Sequence, residues 1–289
     1  MKKLFAIVLS AALLLGTAVA VFAACGDGSA KVKVFTDYEL TAESYAFAVQ
    51  KGNTTVKDAA DELLADITED GTLEDIINSF FDGTATFTYE NPVSSTPTGA
   101  SRSEYLIVAT NAYFPPFEYY SGNKFTGVDI QIASLLAEKM DKTLYVADMD
   151  FDAIITSVQQ GNCDIGMAGI TVNADRLESV DFTTEYYESA QVLMVREDDT
   201  VFADCKSADD IVAVLEKQEK SFIVGTQNGT TGYMYSYGDA GFGYDGFTNL
   251  TTNGYTTGAL AAQDLSNGRI NAVIIDKQPA IMIAASING

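Results

Sequence analysis

The stretch "LYVADMDFDAIITSVQQGNCDIGMAG", residues 144–169, decides the fold. Its first six residues are mostly apolar and read as a strand. "FDAIITSVQQG" reads as a helix that stops at a glycine, and "DIGMAG" as a second short strand. A strand, a helix and a strand in so short a space form a crossover unit, and crossover units build parallel sheets.

Working outward, "YLIVATNAYFPPFEYY" supplies a preceding strand and a loop with two prolines, and "VDIQIASLLAEKM" an amphipathic helix. The resulting β-α-β-α-β order predicts a largely parallel sheet with ligands at the strand C-termini. "AQVLMVRED" is a strand leaving that unit. Residues 198–289 then form a second α/β unit: helix "KSADDIVAVLEKQ", strand "SFIVGT", the Gly-Thr loop "QNGTTGYMYSYG" opening a helix, helix "TTGALAAQDLSNG", strand "INAVIID" and a final helix. In front of the first unit stand a strand "KVKVF", a buried strand "YAFAV" (45–49), and two helices. The first helix has Asn53 or Thr54 as cap; the second has Thr72 as cap and Asp75 three residues on, as in a capping box. Residues 83–103 are rich in Gly, Pro, Ser and Thr, show no period, and read as a linker.

The chain has 289 residues, 47% of them hydrophobic, no histidine and a formal net charge of -23. Such acidity argues against nucleic acid, whose phosphates need clustered Lys and Arg. The missing histidine removes His-based triads and the commonest metal ligand; no cofactor and no metal is expected. The acidity suits a soluble, monomeric exported protein. Residues 1–24 read as a signal peptide: a basic "MKK", an apolar run, then small residues before Cys25. "FAAC" resembles a bacterial lipobox, with Phe22 where Leu is usual, which implies lipid on Cys25, a tether over 25–30, and an extracytoplasmic protein held at the cell membrane. Cys163 and Cys205 have no CxxC spacing and are expected as free thiols.

Several groups sit at predicted strand ends. Asn111 and Phe114 follow the first strand of the main body, Phe151 opens the next helix, and Ala168, Gly169 and Thr171 follow the third strand, with Arg176 five residues later. Gln227, Thr230 and Thr231 follow a strand of the second unit, and Asp276 closes "INAVIID". These groups suit a zwitterionic amino acid. Arg176 offers a planar donor fork for the carboxylate, Asp276 and the Gly169 carbonyl acceptors for the ammonium, and the two phenylalanines walls for the side chain. Each also has an ordinary structural reading: Arg176 as a surface arginine near Asp175 and Glu178, Asp276 as a helix cap, the phenylalanines as core, the threonines as turn residues.

Taken together, "VATNAYFPPFEY", "GVDIQIASLLAEKM", "MDFDAIITSVQQGNCDIGMAGITVNADRLESVDFTTEYY", "VGTQNGTT" and "NAVIID" resemble the extracellular solute-binding proteins of family 3, the polar-amino-acid receptors of ABC importers. The resemblance implies the two-lobe periplasmic-binding-protein type II fold with two hinge strands, a first near Gln191 to Val195 and a second near Glu43 to Val49. It also implies an amino-acid ligand, an ABC permease as partner, and the roles assigned above to the eleven site residues. Asn111 stands where binders of cationic amino acids often carry Asp, and Gln227 where glutamine binders can carry Lys; a neutral polar amino acid is expected. An enzyme on the same fold, such as a cyclic-acid dehydratase, and a stand-alone sensor or scavenger are the rival readings.

The order departs from the family. There, "VIID" and its helix are followed by a strand, by a "YAFAVQKGN"-like strand, and by two helices around an "EDGT" turn. Here those segments come first. A circular permutation is therefore expected, with lobe 2 made of 31–42 and 197–289, lobe 1 with the hinge strands made of 43–82 and 104–196, and 83–103 as the permutation linker.

Overall fold

The computed structural model describes residues 29–289; the expected signal peptide and the expected lipid site Cys25 lie outside the described residues. The chain begins with β1 (Val32–Val34), β2 (Glu43–Tyr45) and β3 (Ala48–Gln50), then α1 (Thr54–Glu69) and α2 (Thr72–Phe81). After residues 82–104 come β4 (Tyr105–Thr110), β5 (Tyr113–Phe114), β6 (Glu118–Ser121), β7 (Lys124–Thr126), α3 (Val128–Lys139), β8 (Thr143–Asp148), α4 (Ile154–Gln159) and β9 (Ile165–Gly166). α5 (Ala174–Ser179), β10 (Val180–Phe182), β11 (Tyr187–Ser189) and β12 (Gln191–Arg196) lead into α6 (Ala208–Leu215), β13 (Ile223–Gln227), α7 (Thr231–Tyr237), β14 (Thr251–Tyr255), α8 (Gly258–Ser266), β15 (Ala272–Asp276) and α9 (Lys277–Asn288).

These elements build two lobes around two five-stranded sheets, ordered β10-β3-β9-β4-β8 and β1-β12-β15-β13-β14. The largely parallel expectation holds only for one side of each sheet. β4 runs parallel to β8 and β9, and β13 parallel to β14 and β15, whereas β3, β10, β1 and β12 pair antiparallel. The antiparallel strands are those that do not belong to crossover units.

Each sheet is covered on both faces. Leu106 and Val108 face one core with α1–α3, while Ile107 and Ala109 face another with Ile154 and Val158 of α4. Lobe 2 repeats the alternation: Val273 and Ile275 on one side, Ala272 and Ile274 on the other. Phe47, Leu64 and Phe80 share one core cluster with Leu106 and Ile130.

The strand expected over 45–49 is split. β2 pairs with β11, Tyr45 opposite Tyr187, whereas β3 pairs with β10 and β9. Between them Ala46 N–H reaches Ile170 O at 3.1 Å and Phe47 N–H reaches Thr183 Oγ1 at 3.0 Å. The chain changes partners there because it is passing from the hinge into the lobe 1 sheet. The first hinge segment also lies earlier than expected. β12, an almost wholly buried run, is an inner strand of lobe 2 between β1 and β15, and the crossing is made just before it, by β11. The lobe boundary falls near residue 190, not 196.

Asn53 caps α1, its side chain accepting from Val56 N at 3.3 Å. The capping box expected at Thr72 does not form. Gly71, at φ 84, is the cap itself, since that turn needs a left-handed residue, and Thr72 is already helical, its N–H taken by Asp70. Residues 83–103 are mostly irregular, as read, yet fastened down. Tyr89 bridges to Phe125, and the Asn91 side chain bonds both Val146 N and Val146 O at 2.8 Å. Val146 lies on β8, the sheet's outer strand, so this segment covers an edge that would otherwise be open.

Candidate ligand-binding site

The strand ends converge between the lobes on a cavity lined by Asn111, Phe114, Phe151, Gly169, Thr171, Arg176, Gln227, Thr230, Thr231 and Asp276. These are ten of the eleven expected residues. Ala168 is the exception: it packs into the lobe 1 core behind the loop, 1% exposed. Cys163 is a buried free thiol and Cys205 a half-buried one.

The lobes are closed on each other. Gln227 Nε2 donates to Asn111 Oδ1 at 2.9 Å, Thr231 Oγ1 to Thr171 Oγ1 at 3.1 Å, and Arg176 Nη2 to Gly229 O at 2.9 Å. The space left is small: the centre of a water-sized sphere has about 10 Å³ to move in.

Arg176 is not a surface arginine. It is 8% exposed, donates from Nη1 to Thr171 O at 2.6 Å, and has the Phe151 and Phe242 rings at 5.5 Å each. Burial lowers its pKa to about 10, which still leaves it charged at neutral pH. Asp276 occupies the cap position of α9 without bonding any helix N–H. Its Oδ1 instead accepts from Tyr45 Oη at 2.5 Å. Burial, and next the charge of Glu43, push its pKa up to about 7. A guanidinium and a carboxylate thus face one cavity from opposite lobes, the arrangement that complements a carboxylate and an ammonium on one carbon.

Gly169 is required where it stands: at φ 53, with a Cβ there falling 2.8 Å from Phe114 Cε1. Its N–H donates to Asp129 Oδ2 at 3.0 Å, and Asp129 Oδ1 accepts from Tyr186 Oη at 2.6 Å. Glu118 is wholly buried nearby with neither oxygen hydrogen-bonded. Burial, and then the charge of Asp129, hold its pKa well above the usual carboxylate range. Burial likewise raises Asp129 to about 6.

Sequence reasoning missed three contributors. Glu43, 8% exposed, accepts from Thr41 Oγ1 and Thr171 Oγ1 at 2.6 Å each and belongs to the site's charge balance. Tyr45 is wholly buried against Asp276. Both point inward from β2, and reading that strand two residues earlier would have shown the alternation. Phe242 comes from a Gly- and Tyr-rich loop that carries no periodic signal.

Comparison with known proteins agrees with this geometry. The profile of the bacterial extracellular solute-binding proteins, family 3, matches residues 106–274. An arginine-binding extracellular protein of Bacillus subtilis is 33% identical over 36% of this chain and 41% of its own length. ABC transporter arginine-binding protein 1 of Escherichia coli is 30% identical over 62% of this chain and 65% of its own. The chain thus spans less than two thirds of these relatives. Among solved structures, an ancestral arginine-binding protein bound to glutamine superposes with TM-score 0.52 at 30% identity, covering 63% of this chain and 73% of that one. An ancestral amino acid-binding protein described as a precursor of cyclohexadienyl dehydratase gives TM-score 0.54 at 28% identity, covering 64% and 75%. With the profile matching more than half of its length, two lobes and a cleft between strand ends, the chain belongs to the bacterial extracellular solute-binding proteins, family 3.

Proposed function

We propose that this protein is the amino-acid receptor of an ABC importer. It binds a free L-amino acid between its lobes and delivers it to a membrane permease. The observation that carries this reading is the pairing of Arg176 and Asp276 across one closed cavity, at the right chemistry for an α-carboxylate and an α-ammonium. The cavity is too small to admit an amino acid as it stands. Entry requires the cross-cleft bonds of Arg176 and Gln227 to part, and the β2–β11 pair is the hinge on which the lobes move.

Within that class the ligand is neutral and polar. Asn111 and Gln227, two uncharged amides, meet in the cavity wall, and Gln227 Oε1 is buried with no donor. An unpaired buried acceptor is costly, and a side-chain amide such as that of glutamine would supply the missing N–H. An ancestral arginine-binding protein of this fold has been solved with glutamine and with arginine, so such a site takes a side-chain amide as well as a guanidinium.

The receptor reading takes the ligand as bound and released unchanged, in keeping with relatives named as binding proteins of ABC transporters. Lipid on Cys25 would anchor it outside the membrane. The segment order is a circular permutation: residues 31–81 lie outside the profile match yet complete both lobes.

Calorimetry against the twenty common amino acids tests the reading. Saturable binding of an unchanged ligand is expected, weakened about 10- to 100-fold in Arg176→Ala and in Asp276→Asn, from the worth of a charged hydrogen bond. Consumption of the ligand, or normal binding by both variants, would overturn it.

A further inference from the structure

We propose that Phe242 is a positioning residue of the ligand site: delivered by lobe 2, it stacks on the Arg176 guanidinium of lobe 1 and fixes the plane in which that fork receives a carboxylate. The proposal rests on the amino-acid reading above for its ligand but on separate observations for its geometry.

Arg176 Cζ lies over two rings, Phe151 from its own lobe and Phe242 from the other, each centred 5.5 Å away. A guanidinium has a flat, weakly hydrated face that an aromatic ring covers well, leaving the edge N–H groups free to bond in plane. Two of those N–H groups are held by Thr171 O and Gly229 O, one acceptor from each lobe. Two rings within cation–π distance and two carbonyl acceptors, drawn from both lobes, together restrain the fork.

The loop that brings Phe242 is built for close approach. Asp239 bridges to Tyr244, and its Oδ1 accepts from Gly241 N at 2.9 Å and Phe242 N at 3.2 Å, which makes a tight turn. At Gly241 a Cβ would lie 1.9 Å from the Asp175 carboxylate, at the start of α5, so the loop backbone rests directly on the turn that carries Arg176. Phe151 and Arg176 stay together whenever lobe 1 is intact. Phe242 can reach Arg176 only when the cleft is shut. Closure is thereby coupled to the orientation of the carboxylate-binding group, and opening loosens it.

The test uses the full mature chain with L-glutamine and, separately, L-arginine as probes, followed by stopped-flow and calorimetry. Phe242→Ala is expected to weaken binding about tenfold, mostly through faster dissociation, with Phe242→Trp recovering most of the loss and Phe242→Leu little of it. Tyr237→Ala, on the exposed face of α7 in the same lobe, is the control and should bind normally. Unchanged affinity in Phe242→Ala, or full recovery by Leu, would overturn the proposal. A second readout needs no ligand. The natural chain has no tryptophan, so Phe242→Trp carries a unique fluorophore. Acrylamide should quench it more strongly once Arg176 is replaced by Ala, and equal quenching in both backgrounds also rejects the stack. If none of the twenty common amino acids binds the unaltered protein while the quenching difference is present, the functional reading fails and the stack stands.

Discussion

Tyr45 Oη donates a 2.5 Å hydrogen bond to Asp276 Oδ1, joining residues 231 positions apart in the chain. The bond ties the hinge strand to the proposed ammonium-binding carboxylate, so the same residue serves lobe movement and ligand affinity.

Affinity should therefore depend on pH near neutrality. In the closed form burial, and then Glu43, raise the Asp276 pKa to about 7. An ammonium binds the ionised form, so binding releases the proton and weakens as pH falls through that value. From pH 8 to pH 6 the dissociation constant is expected to rise about tenfold. Two substitutions should move the midpoint in opposite directions. Glu43→Gln removes a charge that raises the Asp276 pKa and shifts the midpoint down; Tyr45→Phe removes a bond that lowers it and shifts the midpoint up. Titration calorimetry across pH 5.5–8.5 reads both, and a flat profile would reject the ammonium role.

Selectivity should turn on Asn111. Its amide donates to Met149 O at 2.8 Å and accepts from Gln227 at 2.9 Å, so it presents no net charge. Asn111→Asp places a carboxylate beside Gln227 in a closed, poorly solvated cavity. The ratio of arginine to glutamine affinity is expected to rise by about tenfold or more, since a desolvated opposite charge gains more than an amide contact. Competition binding with the two amino acids measures the ratio directly.

Much of this was legible because the informative residues obey simple periodicities. The parallel side of each sheet, α1, α3, the strand-end position of Asp276 and the place of Arg176 in the helix just after a strand end all follow from alternating or helical spacing and from where open α/β sheets put ligands. What escaped were features set by a partner distant in sequence. Nothing local tells that β12 is paired on both edges, that the segment before Ala46 turns Glu43 and Tyr45 inward, or that Phe242 lands on Arg176. Thr72 looked like a cap because its spacing to Asp75 is right; the left-handed Gly71 ahead of it decided otherwise.

Stability should fall as pH rises through mild acidity. Asp129, with an ordinary value of 3.8 and a folded value of about 6, and Glu118, raised further by burial, both favour the protonated form when folded. Native protein then holds more protons than unfolded chain, and stability is lost as pH climbs through the folded pKa values. Glu118→Gln keeps the shape of the protonated acid without its ionisation. It should raise Tm at pH 8 more than at pH 5; thermal melts at the two pH values decide, and an equal shift would show that Glu118 is not the protonated partner.

Undoing the segment order is the sharpest test of the permutation. α9 ends beside β1: Asn288 Oδ1 accepts from Val32 N at 2.9 Å and its Nδ2 donates to Val32 O at 2.9 Å. A chain running 104–289 and then 31–81, joined by a few glycines, would cross a gap that the fold already closes and would dispense with residues 83–103. Loop closure changes little with length, so the cost of moving the break is of the order of 1 kcal/mol. The main loss is the edge cover from Tyr89 and Asn91, which points to a modest drop in Tm and greater association through β8. Phe80→Ala, by contrast, should cost about 3–5 kcal/mol in either order, because Phe80 is 2% exposed in the lobe 1 core wherever the chain begins. Ligand affinity within about threefold of the natural order is the expected result, since neither Arg176 nor Asp276 is moved. A rearranged chain that fails to fold, beside a natural chain that tolerates Phe80→Ala, would mean that residues 31–81 are an added segment and not the displaced end of the family fold.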